Sequence, residues 1–313
     1  MSFIKRIFLF MLVNILVMTT ISIVTSMFGL TGYLTQAGID YGQLMVFCLI
    51  WGMSGALISL ALSRKMAKWM MGVQLVDEKS QDPRLRELAL TVYRLAEQAG
   101  LPAKPEVGFY NSAEVNAFAT GPTKARALVA VSTGLLERMS KEELEGVVGH
   151  EIAHVANGDM VTMTLLQGVI NAFVMFLARV ISYAITSGSR SNDEERPSYM
   201  MQSLVTMALE ITLSILGSIV VAKFSRWREF RADAGGAKIA GYPKMIAALE
   251  ALKSLHNYGP EVEPANQKAV AAFKISSRKG GWLSLFSTHP DLDKRILALQ
   301  STQFKGVHSQ QRA

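Results

Sequence analysis

Residues 7–39 contain no Asp, Glu, Lys or Arg, and after Asp40 the stretch 41–63 is again uncharged. Each exceeds the roughly 20 residues that a helix needs to cross the hydrocarbon of a bilayer. In that medium the backbone finds no water to bond, so a spanning chain folds as helices or as a closed barrel. A helical hairpin over residues 1–63 is therefore the first expectation. Lys5 and Arg6 precede the first run as they would in a signal peptide. The apolar core, residues 7–30, is longer than the roughly 7–15 residues of such a segment, and a second run follows almost at once, so the hairpin reads as uncleaved.

The rest of the composition agrees. Hydrophobic residues make up 50% of the 313 and charged ones 18%, with a mean hydropathy of +0.24, values that lean away from a soluble domain. Cys48 is the single cysteine and lies in an apolar run. That excludes a disulfide framework, a cysteine-based zinc site and thiol catalysis, and leaves a buried, inert thiol.

Residues 160–186 are apolar except for Arg179, and 203–222 except for Glu210. They make a second candidate hairpin over 160–222; the alternatives are buried core helices or segments lying in a membrane groove. An intramembrane charge is costly unless paired, so Arg179 and Glu210 are expected to neutralise one another.

The net charge of +7 does not point to nucleic acid. Segment 63–159 carries 12 Lys/Arg against 13 Asp/Glu, whereas 223–313 carries 15 against 7, many of them just past an apolar stretch. Basic residues interleaved with aromatics and glycine-rich phosphate loops are both missing. The linkers 31–40 and 187–202 hold no Lys, two Arg (Arg190, Arg196) and four acids (Asp40, Asp193, Glu194, Glu195). The positive-inside rule then places the N-terminus, 63–159 and 223–313 in the cytoplasm. Four segments result: 1–63, a membrane hairpin; 64–159, the first soluble part; 160–222, the second hairpin; and 223–313, the second soluble part.

Within the first soluble part, Asp82-Pro83 reads as the cap and first residue of a helix with Leu85, Leu88, Val92 and Leu95 on one face, ended by Gly100. Short strands are expected at 106–110, 115–120 and 127–132. Ser140-x-x-Glu143 is a capping box, so a helix starts at Lys141. Further helices are expected around 243–254 and from Pro290 towards Leu299, and residues 257–285 read as a loop.

The capped helix carries His150-Glu151-Ile152-Ala153-His154. Four-residue spacing sets both imidazoles on one helix face a turn apart, suiting two neighbouring corners of a zinc tetrahedron. Glu151 lies beside the first of them and can take a proton from a zinc-activated water without itself being a ligand. A catalytic zinc needs a third protein ligand. The metzincin solution requires Gly at 157 and His at 160, but Asn157 and Met160 stand there, so that subclass is excluded. A Glu from a later helix is the other common solution, and Glu229 is the candidate. With Asp233 it forms a pair on one helix face, so that one carboxylate binds the metal while the other accepts from a ligating imidazole. His289, before Pro290, is either a donor to the oxyanion of a tetrahedral intermediate or a structural helix-entry residue. His256 and His308 read as surface residues.

Two spans, HExxH, two further spans and then Arg-x-x-Glu-Phe-x-Ala-Asp over 226–233 form an order that resembles the CAAX prenyl protease-related family of bacterial integral-membrane zinc peptidases. The resemblance runs over nearly the whole chain and includes Asn116-Ala117-Phe118-Ala119 and Thr288-His289-Pro290. It implies a mainly α, α+β membrane protein of about four transmembrane helices, with a cytoplasmic gluzincin-type protease domain carrying a small β-sheet. It further implies one Zn2+ per subunit on His150, His154 and Glu229, Glu151 as general base, Asp233 orienting a ligating histidine and His289 assisting the transition state. Asn116, Ala117, Phe118 and Ala119 would form the edge that pairs with an extended substrate. The implied activity is ATP-independent cleavage of unfolded or damaged membrane proteins in the bacterial inner membrane under stress, with self-cleavage common. Two other classes compete: a metal transporter, whose site belongs near mid-membrane, and a catalytically silent scaffold.

Overall fold

The computed structural model describes residues 38–188, 199–258 and 288–310, with isolated positions between 15 and 35. Most of the first apolar run, the linker 189–198, nearly all of the loop 257–285 and the side chains of His256 and His308 lie outside the described residues. The architecture is mainly helical with a small mixed sheet. The chain divides into two compact units, one of residues 1–60 and 163–221, the other of 61–162 and 222–313.

In the first unit, a two-residue hairpin (β1, Leu34–Thr35; β2, Gly38–Ile39) precedes helix α1, Tyr41–Met71. Two more long helices contribute, α5 (Asp159–Gly188) and α6 (Tyr199–Ala240). These three are the helices long and apolar enough to cross a membrane among the described residues. Their outward faces bear Leu49, Val169, Phe173, Ile211, Ile215, Leu216 and Val220, all more than two-fifths exposed, which suits lipid rather than water. Small residues bring the helices together. A Cβ on Gly52 would run into the backbone of Ala172, and one on Gly217 into the Ile170 side chain, the packing mode of helices in lipid. Arg179 Nη1 lies 2.6 Å from Glu210 Oε1, the ion pair expected from the sequence.

The second unit is built on a four-stranded sheet in the order β3-β4-β6-β5, comprising Gln74–Val76, Glu106–Tyr110, Arg126–Ser132 and Ala117–Thr123 respectively. The β4–β6 pair is parallel and the other two are antiparallel. Residues 127–132 of β6 are buried without interruption, as befits a strand covered on both faces. Val129 and Val131 face a core with Leu88, Val92 and Leu95 of α2 (Pro83–Gln98) and Val147, Val148 and Ile152 of α4 (Lys141–Asn157). Leu128 and Ala130 turn the other way, onto Tyr110, Phe118 and Ala67, the period-two alternation of a strand. A short helix α3 (Thr133–Arg138) leads from β6 into α4. Helix α7 (Tyr242–Tyr258) places Met245 and Leu249 against Ile296 and Leu299 of α8 (Leu292–Gln310).

The expected caps are present. Asp82 Oδ1 accepts from the Arg84 amide at 2.8 Å; Ser140 and Glu143 form the reciprocal capping box; and Gly100 takes φ +67°. The strand expected at 115–120 is shifted to Ala117–Thr123 because Asn116 is spent on Ser132. Strand β3 and helix α3 were not anticipated from the sequence.

Candidate metal centre

Helix α4 is buried from Glu145 to Val155, which is unusual for a segment holding Glu145, His150, Glu151 and His154. Its neighbours come close because glycines meet at the crossings. A Cβ on Gly236 of α6 would stand 2.9 Å from the His150 backbone nitrogen, and one on Gly149 2.8 Å from Ala240 Cβ. Gly235 likewise faces Ala153, and Gly146 faces the Lys244 carbonyl of α7. Helix α6 therefore lies almost backbone to backbone on α4. Its residues Glu229 and Asp233, past the apolar stretch 203–222, reach the face that bears both histidines.

Nε2 of His150 and Nε2 of His154 are 3.1 Å apart. Glu229 places Oε2 3.4 Å from the first and Oε1 3.3 Å from the second. Donors in a tetrahedral zinc site, about 2.0–2.1 Å from the metal, stand roughly 3.3 Å from one another. The three ligand groups thus fit one divalent ion, and all of them are buried. The buried carboxylates Glu151, Glu229 and Asp233 act on the buried Arg295 guanidinium, and half-buried Arg228 lies 3.4 Å from Glu229 Oε1; a divalent cation would offset the negative charge that remains.

Asp233 stands behind His150, with Oδ1 2.9 Å from Nδ1. Arg295 holds Asp233 from the other side, its Nε donating to Oδ2 at 2.8 Å and its Nη2 to Oδ1 at 2.6 Å. Because a carboxylate only accepts, this pair sets a hydrogen of His150 on Nδ1 and leaves Nε2, beside Glu229, as the nitrogen that can ligate a metal. Arg295 Nη1 lies 3.7 Å from Glu229 Oε2. His289 approaches the same oxygen, its Nδ1 at 3.0 Å. Behind His154, Asp159 Oδ2 is 2.6 Å from Nδ1.

Electrostatics follow from this crowding. Burial opposes a charged His150, but Asp233 and Glu229 outweigh it and raise the imidazole to about 9. Burial likewise opposes ionised Glu229, yet the three histidines hold it well below its ordinary range. Asp233 is held down to about 2, burial being overcome chiefly by Arg295. Without a metal, a proton on His150 takes the place of the cation. Glu151 is itself buried, and its charge acts on both Arg295 and Tyr110.

The sequence-derived residues therefore fall as follows. His150, His154, Glu229, Asp233 and His289 form one cluster, and Glu151 shares its helix and its field. Asn116 directly precedes β5, which carries Ala117, Phe118 and Ala119 at the edge of the described sheet. The Asn116 side-chain oxygen is buried without a hydrogen-bond partner among the described residues. Arg295 and Asp159 were missed. Arg295 follows His289 by six residues, and Asp159 stands alone before an apolar run, so neither makes a motif.

The model of peptidase family M48 matches residues 79–303. A protease HtpX homolog of Bacillus velezensis is 50% identical over 303 residues, covering 95% of this chain and 99% of the relative. The protease HtpX homolog of Bacillus subtilis strain 168 is also 50% identical, over 304 residues, with the same coverage. Among solved structures, the crystal structure of S. mikatae Ste24p superposes with a TM-score of 0.56 at 18% identity, over 82% of this chain and 58% of the other, a likeness of fold.

Proposed function

This chain belongs to peptidase family M48 and is a membrane metalloendopeptidase, and we propose that it works with zinc held by His150, His154 and Glu229. The observation that carries this reading is that His150 Nε2 and His154 Nε2 stand 3.1 Å apart and each lies 3.3–3.4 Å from an oxygen of the Glu229 carboxylate, all of them buried beside Glu151. Zinc bound there would lower the pKa of a water and polarise a peptide carbonyl.

The protein side chains supply the remaining steps. Glu151 takes the proton of the attacking water and returns it to the departing amine, general acid–base work worth about 10²–10⁴-fold in rate. Asp233, fixed by Arg295, keeps Nε2 of His150 directed at the ligand cluster. His289, anchored on Glu229, assists the developing oxyanion. Asn116, Ala117, Phe118 and Ala119 receive an extended substrate by strand addition, because β5 is an edge strand.

The substrates are unfolded or damaged membrane proteins, cut without ATP in the bacterial inner membrane, with self-cleavage as a side reaction. Four spans, with the active site and both termini in the cytoplasm, accord with the two uncharged N-terminal runs and with the cations that follow 63 and 222.

Detergent-purified protein given zinc and casein tests the reading. Cleavage is expected, lost on chelation and lost in Glu151→Gln while zinc stays bound. Equal cleavage by Glu151→Gln would defeat the mechanism.

A further inference from the structure

His154 is held from behind by a residue to which the proposed reaction assigns no part. Asp159 is the first residue of α5 and only 3% exposed. Gly158 ends α4 in the left-handed region, φ +71°, its amide donating to the carbonyls of His154 and Val155. That turn, which glycine adopts without strain, brings Asp159 back over the last turn of α4. There its Oδ2 lies 2.6 Å from His154 Nδ1. Since the carboxylate only accepts, an imidazole hydrogen sits on Nδ1, which leaves Nε2, 3.3 Å from Glu229 Oε1, as the atom that can ligate a metal.

The carboxylate has a second neighbour. Arg231 Nη2 is 3.6 Å from Asp159 Oδ1, and its guanidinium lies 5.1 Å from the centre of the Trp227 ring. Arg231 stands two residues past Glu229, so one stretch of α6 carries both a ligand carboxylate and the cation that faces Asp159.

We infer that Asp159 is the positioning residue for His154, as Asp233 is for His150, with Arg231 the cation that faces its other oxygen. The first turn of α5 is thereby part of the metal centre. This rests on the metal-centre reading above.

The test is zinc affinity of the full chain in detergent, measured by competition with a chelator, beside the melting temperature of the metal-free protein. Asp159→Ala is expected to weaken zinc about 10–100-fold, with the metal-free melting temperature near that of wild type. A folded Asp159→Ala protein of unchanged affinity overturns the inference, as does lowered metal-free stability with unchanged affinity, which marks a merely structural role. Should Asp159→Ala fail to fold, Arg231→Gln decides. Several-fold weaker zinc is expected, and wild-type affinity overturns the assignment. Wild-type protein that binds no zinc would instead bring down the metal-centre reading as a whole.

Discussion

Arg295 is the most enclosed cation among the described residues of the second unit, 1% exposed. Such a group is tolerated only where its partners are fixed, and here Asp233 meets it with two hydrogen bonds. Removing it leaves Asp233 buried with His150 alone. Arg295→Met is expected to cost about 3–5 kcal/mol, the usual penalty of breaking a buried pair from one side, and to weaken zinc as Asp233 loses its orientation. Thermal unfolding with and without zinc checks both effects. The candidate ligands could be read from the sequence because a helix converts four-residue spacing into adjacency, and because Glu229 and Asp233 repeat that spacing. Arg295 could not be read in this way. Its role comes from a tertiary crossing between α8 and the α4–α6 pair, which leaves no local pattern in the chain. The same is true of Asp159, whose place depends on one left-handed glycine.

The helices were legible where caps and periodicity spoke together, as at Asp82-Pro83 and at Ser140 with Glu143. Strand β3 was not, being three residues long and exposed at Gln74 and Leu75; it exists because β4 offers it a partner. Helix crossings were also hidden in the sequence, although they decide whether the ligands meet. Gly236→Ala would press a methyl group to 2.9 Å from the backbone nitrogen of His150. An overpacked crossing of this kind costs about 1–3 kcal/mol. The expected result is a lower melting temperature together with weaker zinc binding, read by calorimetry and by chelator competition. Glu145 fixes the same helix from another side, with Arg94 of α2 at 2.7 Å and Lys244 of α7 at 2.8 Å. Burial raises its pKa, but hydrogen bonds from Lys244 and Arg94 prevail and hold it below the ordinary 4.5. A depressed carboxyl stabilises the fold above its unfolded pKa and loses that contribution as pH falls through the folded one. Wild type should therefore exceed Glu145→Gln in melting temperature at pH 6–7, with the gap closing below about pH 4.

Across the whole molecule, the ligands are separated in sequence by the apolar pair of segments 160–222, yet they belong to one unit, closed by α4 before that pair and α6 after it. A metal at His150, His154 and Glu229 would bind the folded unit far better than the unfolded chain, where the three ligands are scattered. Binding of this kind stabilises by mass action, about 4 kcal/mol when free metal stands a thousandfold above its dissociation constant. Chelation should accordingly lower the melting temperature of the detergent-purified protein by several degrees, and zinc should restore it. In Glu229→Ala the shift with zinc should largely vanish. That substitution also removes a carboxylate that, after Asp233, helps hold a proton on His150, so each variant's shift is read against its own metal-free melting temperature. If zinc raised Glu229→Ala as much as wild type, the metal would be held elsewhere. The coupling between metal and assembly of the discontinuous unit would then fail with it, because only Glu229 brings α6 to the α4 histidines as a ligand.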